Sequence, residues 1–475
     1  MQAEEADLTV YNARVVTPGR TLMGGVAATD GRIIKVCADD ELPPGNDEID
    51  AGGNYLIPGL IDPHVHIGRR SGGYPNQLEV EFETETRGAL HGGVTTVINF
   101  IEQSEPYLPD LDFFIEVGER NSYVDFTHHF VMSHDHHVEE IEELASAGFR
   151  SYKMFFNMYK HMDIDIVPSE ADRVYRVLKK VAEMNHGLAM FHAENSDLSY
   201  VRRQEVQAEH RHDMQAWADA SPPISEAMQI EHAGMLTEYT NSRSYVVHIS
   251  SAAGVESLAR YRAKGVDIHG ETLVAFLALT YDDDLGTWGK VSPPIRSEDD
   301  KQALWKAIRT GVIEHVGTDH ISTDREVNEM GQGRHGPHFW ESPPGLQPGV
   351  EYFLPVMLSE GVNRGRISIE RLVDVSSTNN AKRFGLYPRK GAIVEGADAD
   401  MVLVDLNASA VIDDAFYHTR ETSWSPFHGW TVTGLPTHTI VGGNIAVENG
   451  ERHRHPGDGS FLPVYNDGVS RPRTR

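Results

Sequence analysis

A single cysteine, Cys37, occurs in 475 residues. A disulfide within the chain is therefore excluded, and a zinc–thiolate cluster lacks its ligands. Cys37 itself reads as a packing residue. No apolar run is long enough to cross a bilayer. The N-terminus, Met1-Gln2-Ala3-Glu4-Glu5, has neither the basic region nor the apolar core of a secretion signal, so the expected location is the cytoplasm. Lysine is scarce: 11 lysines and 31 arginines make up the 42 basic residues, against 71 acidic ones, for a formal charge of -29. Such an acidic surface argues against nucleic acid and anionic membrane as partners. The acidic residues are dispersed (Glu139-Glu140, Asp282-Asp283-Asp284, Asp299-Asp300), as on a solvated surface. There is no internal repeat, no low-complexity segment, and no Gly-x-Gly-x-x-Gly turn after a first strand.

What remains is a soluble globular composition, 40% hydrophobic and 24% charged, in a chain long enough for one large domain and one small one. Residues 8 to 55 read as short strands around the turn signals Gly19, Asp30-Gly31 and Gly45-Asn46. The far end is similar, with strands over Ala399–Asp405 and Thr437–Asn444. The middle alternates strands and helices. Eight strands are expected: Leu56–His66, Val94–Phe100, Phe126–Met132, Arg150–Phe156, Gly187–Ala193, Ser244–Ser250, Val266–Glu271 and Ile313–Asp319. Helical spacing marks Ala171–Asn185, where Val174, Val177, Leu178, Val181 and Ala182 share a face, and also Ala303–Arg309 and Ile369–Asn379. The pattern predicts an α/β fold, a (β/α)8 TIM-type barrel with a small β-sandwich built from both termini. A doubly wound open sheet is the second choice. The expected boundaries are 1–57 and 391–455 for the sandwich, 58–390 for the barrel, and 456–475 for a tail, loosely ordered or reaching a neighbouring subunit.

The barrel's first strand runs Leu56-Ile57-Pro58-Gly59-Leu60-Ile61-Asp62-Pro63-His64-Val65-His66. Side chains alternate along a strand, so His64 and His66 point to one side, as half of a metal site would. Active-site residues of such barrels gather at the C-terminal ends of the strands. Polar residues interrupt or end four further strands: Lys153, His192, His248 and Asp319. Each alone is explained as a hydrogen-bonded core residue; five strand ends converging on one rim are not. A buried lysine is costly unless paired or deprotonated. As a neutral amine Lys153 can add carbon dioxide, and the resulting carbamate is an anion able to bridge two metals. The plainer alternatives are a lysine reaching to the rim or pairing with Asp319. His134, His136 and His137 follow the third strand, and His210 and His212 lie in a charged stretch; surface positions are the simpler reading for all five.

As a set, these pieces resemble the amidohydrolase superfamily, in particular its cyclic amidases: dihydropyrimidinase, D-hydantoinase, allantoinase and dihydroorotase. The matching segments are Pro58–His66, Gly92-Gly93-Val94-Thr95-Thr96-Val97, Tyr152-Lys153-Met154-Phe155, His192-Ala193-Glu194-Asn195, His248-Ile249-Ser250, Ser292-Pro293-Pro294-Ile295-Arg296 and Thr318-Asp319-His320. Phe384–Gly391, Gly396–Asp400 and Pro426-Phe427-His428-Gly429-Trp430 favour the dihydropyrimidinase and hydantoinase branch. The resemblance implies two divalent metal ions per chain, zinc, manganese or cobalt. His64 and His66 would hold one and His192 and His248 the other, with carbamylated Lys153 bridging and Asp319 both ligating and shuttling the proton. It further implies hydrolysis of a cyclic amide by a metal-bridging hydroxide, substrate contacts at Tyr159 and Ser292, and a homo-oligomer, often a tetramer.

Two places depart from the pattern. Relatives carry a tyrosine five residues after the bridging lysine, where this chain has Met158, with Tyr159 next. Relatives commonly have Pro-Asn-Gly where this chain reads Ser342-Pro343-Pro344-Gly345-Leu346-Gln347-Pro348-Gly349. The hydrolytic set is whole while the frame that recognises the ring is altered. Allantoinase, dihydroorotase or another imide or lactam hydrolase is the second reading. A non-catalytic scaffold is the third, and it predicts lost ligand positions, of which there are none.

Overall fold

The computed structural model describes residues 5–68, 78–156, 169–343, 348–419 and 424–465. Met158, Tyr159 and Pro344 to Gln347 lie outside the described residues. Both ends of the chain enter one nine-stranded sheet. Tyr55–Pro58 joins its halves, pairing in parallel with Ala6–Thr17 and antiparallel with Met401–Val411. Asp30-Gly31 makes the hairpin between Arg20–Thr29 and Arg32–Cys37, with both residues at positive φ, as a tight two-residue turn of this hand requires. Leu8, Val10, Val26, Leu56, Met401 and Ile440 form the buried face.

All eight expected barrel strands are present, most within one or two residues of the expected limits. They are Leu60–His66, Val94–Ile101, Asp125–Val131, Ser151–Phe155, Leu188–His192, Ser244–Val246, Ile268–Leu273 and His315–Gly317. The expected first strand is in fact two elements. Tyr55–Pro58 belongs to the terminal sheet, and Leu60–His66 opens the barrel. Gly59 lies at the break, where a Cβ would come within 2.2 Å of Thr95 Oγ1. Consecutive barrel strands pair in parallel. The last strand is broken at Thr318-Asp319 and resumes as His320–Ile321, which pairs with Val65 and His66 and brings the sheet round on itself. Asp62 joins the two sides of that seam, accepting from Thr318 N at 3.2 Å and Thr318 Oγ1 at 2.5 Å.

Helices cover the sheet. Ala171–Glu183 buries Val174, Val177, Leu178 and Val181, as its spacing predicts, while Ala182 faces out. The segment Ile369–Arg383 is helical throughout, with a π-helical stretch at Asp374–Thr378. That stretch sets Ser377 Oγ against Gly59 O and Asn380 against Ile61 O and Val316 O, so the helix seals the N-terminal ends of the first and last strands.

Lys390 fastens the terminal sheet to the barrel. Its buried ammonium meets Asp125 at the start of the third barrel strand, Asp398 at 2.9 Å and Asp400 at 2.5 Å. For its first ten residues the tail departs from the expectation of loose order or a reach to a neighbouring subunit; residues 466–475 lie outside the described residues. Its described part, 456 to 465, packs on this chain's own barrel, with Phe461, Leu462 and Val464 buried and hydrogen bonds to Phe126 O and Gly148 O. No helix among the described residues is long and apolar enough to cross a membrane.

Candidate metal centre

The five strand ends singled out in the sequence do converge. His64 and His66 end the first barrel strand with ring centroids 5.3 Å apart. His248, just past the sixth strand, stacks on His64 at 5.5 Å and meets His192, at the end of the fifth, edge-on at 4.4 Å. Lys153, in the fourth strand, is 1% exposed. Phe100, closing the second strand, is the shared wall: His64, His66 and the Lys153 Nζ all lie within 5 Å of its ring centroid. Asp319 Oδ1 sits 3.0 Å from His64 Nε2 and 3.1 Å from His66 Nε2. Asp319 and His248 both have positive φ, at 53° and 41°. Non-glycine residues held there concentrate at functional sites.

Carboxylates behind the imidazoles set their orientation. Glu271, fully buried on the seventh strand, accepts from His64 Nδ1 at 2.7 Å, from Tyr245 Oη at 2.9 Å and from His248 N at 3.2 Å. Glu194 Oε2 pairs with His192 Nε2 at 2.8 Å and also accepts from Ser292 Oγ at 3.2 Å. Ser292, the expected substrate contact, is thereby tied to the same carboxylate as His192.

The charge balance tests whether a metal fits. Glu271 accepts a hydrogen bond from the Nδ1–H of His64, so in its neutral form the ring turns its Nε2 lone pair toward the Asp319 carboxylate. That contact is close but off line, and it makes no hydrogen bond. Two lone pairs at 3.0 Å repel unless a proton or a metal cation compensates. Without a cation, burial lowers the His64 pKa, but Asp319 and Glu271 outweigh it and hold the ring up to about 9. Burial would raise Asp319, yet His64 and His66 hold it well below the carboxylate range. Burial and the neighbouring His192 push His248 well down, so its imidazole is neutral, and its Nδ1 is buried without a hydrogen-bond partner. Burial likewise lowers His192, against the opposing pull of Glu194. The imidazoles of His192 and His248, disfavoured as cations, together with His64 and His66 beside the ionised Asp319, form a donor set that suits divalent metal. One ligand atom each from His64, His66 and Asp319 lie within 4.8 Å of one another.

Glu271 and Phe100 enter the sequence reading only as strand limits, and Asp62 and Glu194 only inside matching segments; none is assigned a role there. The available signal for Glu271 was a carboxylate at the end of an otherwise core strand. For the other histidines, His210 and His212 are exposed as expected, but His137 is fully buried. Its Nδ1 accepts from His134 N and its Nε2 donates to Glu105 O, so neither nitrogen is left for a metal. Cys37 is half-buried.

A closed parallel barrel with imidazoles, a buried lysine and an ionised aspartate at the C-terminal ends of its strands defines the class: a barrel enzyme with a metal-competent centre. The amidohydrolase family model matches residues 55–446, and the chain belongs to that family. It is similar to an L-hydantoinase of Paenarthrobacter aurescens, at 31% identity over 97% of this chain and 98% of that protein. It is 32% identical to a D-hydantoinase of Geobacillus stearothermophilus, over 96% and 93% of the two chains. Among solved structures, a dihydropyrimidinase from Brevibacillus agri superposes with a TM-score of 0.87 at 30% identity, covering 96% of this chain and 98% of that one.

Proposed function

We propose that this chain is a metal-dependent hydrolase that opens the C–N bond of a cyclic amide or imide, of the hydantoinase or dihydropyrimidinase kind. The observation that carries this is the convergence of His64, His66 and an ionised Asp319 on one buried point, with His192 and His248 packed beside them, in a chain matching hydantoinases over nearly its full length. His64, His66, His192, His248, Asp319 and Lys153 as its carbamate would hold two divalent ions, zinc foremost. When bound, such ions polarise the ring carbonyl and acidify a water molecule. Asp319 is the group placed to take the water's proton and pass it to the leaving nitrogen. Glu271 and Glu194 fix the rings of His64 and His192 from behind. Ser292, and Tyr159 outside the described residues, are the proposed contacts to the ring. The proposed division of the chain is 1–57 with 391–455 for the terminal module, 58–390 for the barrel and 456–475 for the tail. We place the enzyme in the cytoplasm as a homo-oligomer. An apolar ridge of Ile224, Met228, Met235 and Tyr239, exposed along the helix Pro223–Thr240, suits burial against another subunit.

All six expected ligand positions are occupied by competent residues, which argues against a non-catalytic scaffold. The test is hydrolysis of a panel: dihydrouracil, 5-substituted hydantoins, allantoin, dihydroorotate and simple cyclic imides. Turnover of hydantoins or imides with weaker activity on dihydrouracil is expected, because Met158 and Pro344 alter two ring contacts. An optimum on allantoin or dihydroorotate would favour the second reading, and no turnover of any member by metal-loaded protein would refute the first.

A further inference from the structure

The N-terminal face of the barrel, opposite the metal centre, opens into a cavity of about 550 Å³. Four basic side chains line it, Arg243, Arg262, Lys382 and Arg383, against two carboxylates, Asp267 and Glu314. In a chain of formal charge -29 this is an island of opposite sign. The two carboxylates already serve three guanidiniums: Asp267 pairs with Arg383 at 2.6 Å and Arg243 at 3.2 Å, and Glu314 with Arg262 at 2.6 Å. Arg383 is 5% exposed, and its Nε is buried with no hydrogen-bond partner. Burial draws that guanidinium down, Asp267 offsets part of the effect and Arg243 adds to it, leaving it at about 10.

We propose that this cavity binds a small multivalent oxyanion of the phosphate class, held by Arg243, Arg262 and Lys382 above the buried charge of Arg383. The excess of guanidinium over carboxylate is the arrangement that recognises such an anion. A metal is the competing occupant, because one ligand atom each from His269, Glu314 and His315 lie within 4.8 Å of one another. Electrostatics decides against it. Glu314 is taken by Arg262 and by His269 Nδ1 at 2.8 Å, and a dication would sit among four like charges. The site is separate from the metal centre: His315 begins the last strand, four residues before Asp319, or about 13 Å along extended chain.

The experiment is calorimetric titration of inorganic phosphate into metal-loaded enzyme at low chloride. Saturable binding is expected in the wild type, weakening as salt is added. The double variant Arg243→Gln/Lys382→Gln alters only partly exposed or exposed positions. It should keep the native melting temperature and lose about tenfold or more in affinity, about 1.4 kcal/mol. Unchanged binding in the double variant would place the anion elsewhere, the metal centre included, and overturn the proposal. Absence of binding in the wild type would overturn it too. A further zinc equivalent, bound by the wild type and lost in His315→Ala, would make the cavity a metal site instead.

Discussion

Replacing Glu271 by glutamine is the sharpest test of how the metal centre is held. The carboxylate is fully buried and takes three donors, with His64 Nδ1 and His248 N on Oε1 and Tyr245 Oη on Oε2. Alanine would strand all three. At about 1–3 kcal/mol for each unsatisfied buried donor, the loss is about 3–9 kcal/mol, comparable with the whole stability of a typical domain. Glu271→Ala should therefore fold poorly and report little about the site. In Glu271→Gln the amide oxygen can keep both Oε1 contacts, while Tyr245 Oη turns to accept from the amide nitrogen. What disappears is the negative charge behind His64, a difference of about 1 kcal/mol in folding. The imidazole becomes a weaker ligand, and metal affinity should fall about 10–100-fold, as for other partners of ligating histidines. Chelator competition measures the affinity, thermal unfolding checks the fold, and hydrolysis follows in parallel. A Glu271→Gln protein that is folded and holds metal as tightly as wild type would refute the orienting role.

Asp319→Asn should lower turnover by about 10²–10⁴-fold, the range of a lost general acid–base group, with some metal retained; a near-native rate would assign the proton transfer to another group. Lys153→Ala should lose activity and metal, and a short carboxylic acid with excess metal should restore part of both, whereas full activity without added acid would exclude a carbamate there. Lys390→Met leaves the carboxylates of Asp125 and Asp400 buried without their cation, while Asp398 keeps Arg32 and Arg389, and should destabilise by about 3–5 kcal/mol, read as a lower unfolding midpoint. Burial opposes the ionised form of Glu314, but His269 and Arg262 hold its carboxyl down at about 2. Since this folded-state value is depressed, the stability it contributes is present above the ordinary carboxylate range and lost as pH falls toward 2. Denaturant melts of wild type and Glu314→Gln should therefore draw together from about pH 5 down to about pH 2, and a constant gap would contradict the pairing.

The layout of the chain was legible because its signals are local. Strand and helix periodicity repeats every few residues, and His64 and His66 share a face by alternation alone. Polar residues inside apolar runs marked Lys153, His192, His248 and Asp319 for the same reason. Leu56–His66 reads as one strand because its apolar residues run on without a break in pattern, and only pairing with Met401–Val411 reveals that Tyr55–Pro58 lies in a different sheet. The tail carried no periodicity, since its order comes from backbone bonds to Phe126 and Gly148 rather than from its own pattern.

By itself, then, the sequence determined which residues are ligand-competent and which strand ends carry them, because both follow from short-range spacing and burial. The tertiary structure decided the rest. Glu271 finds His64 across 207 residues and Lys390 finds Asp125 across 265, and the basic cavity exists only where distant arginines meet at the feet of the strands. Charge acts through space with no period along the chain, so its partners are set by how the barrel closes.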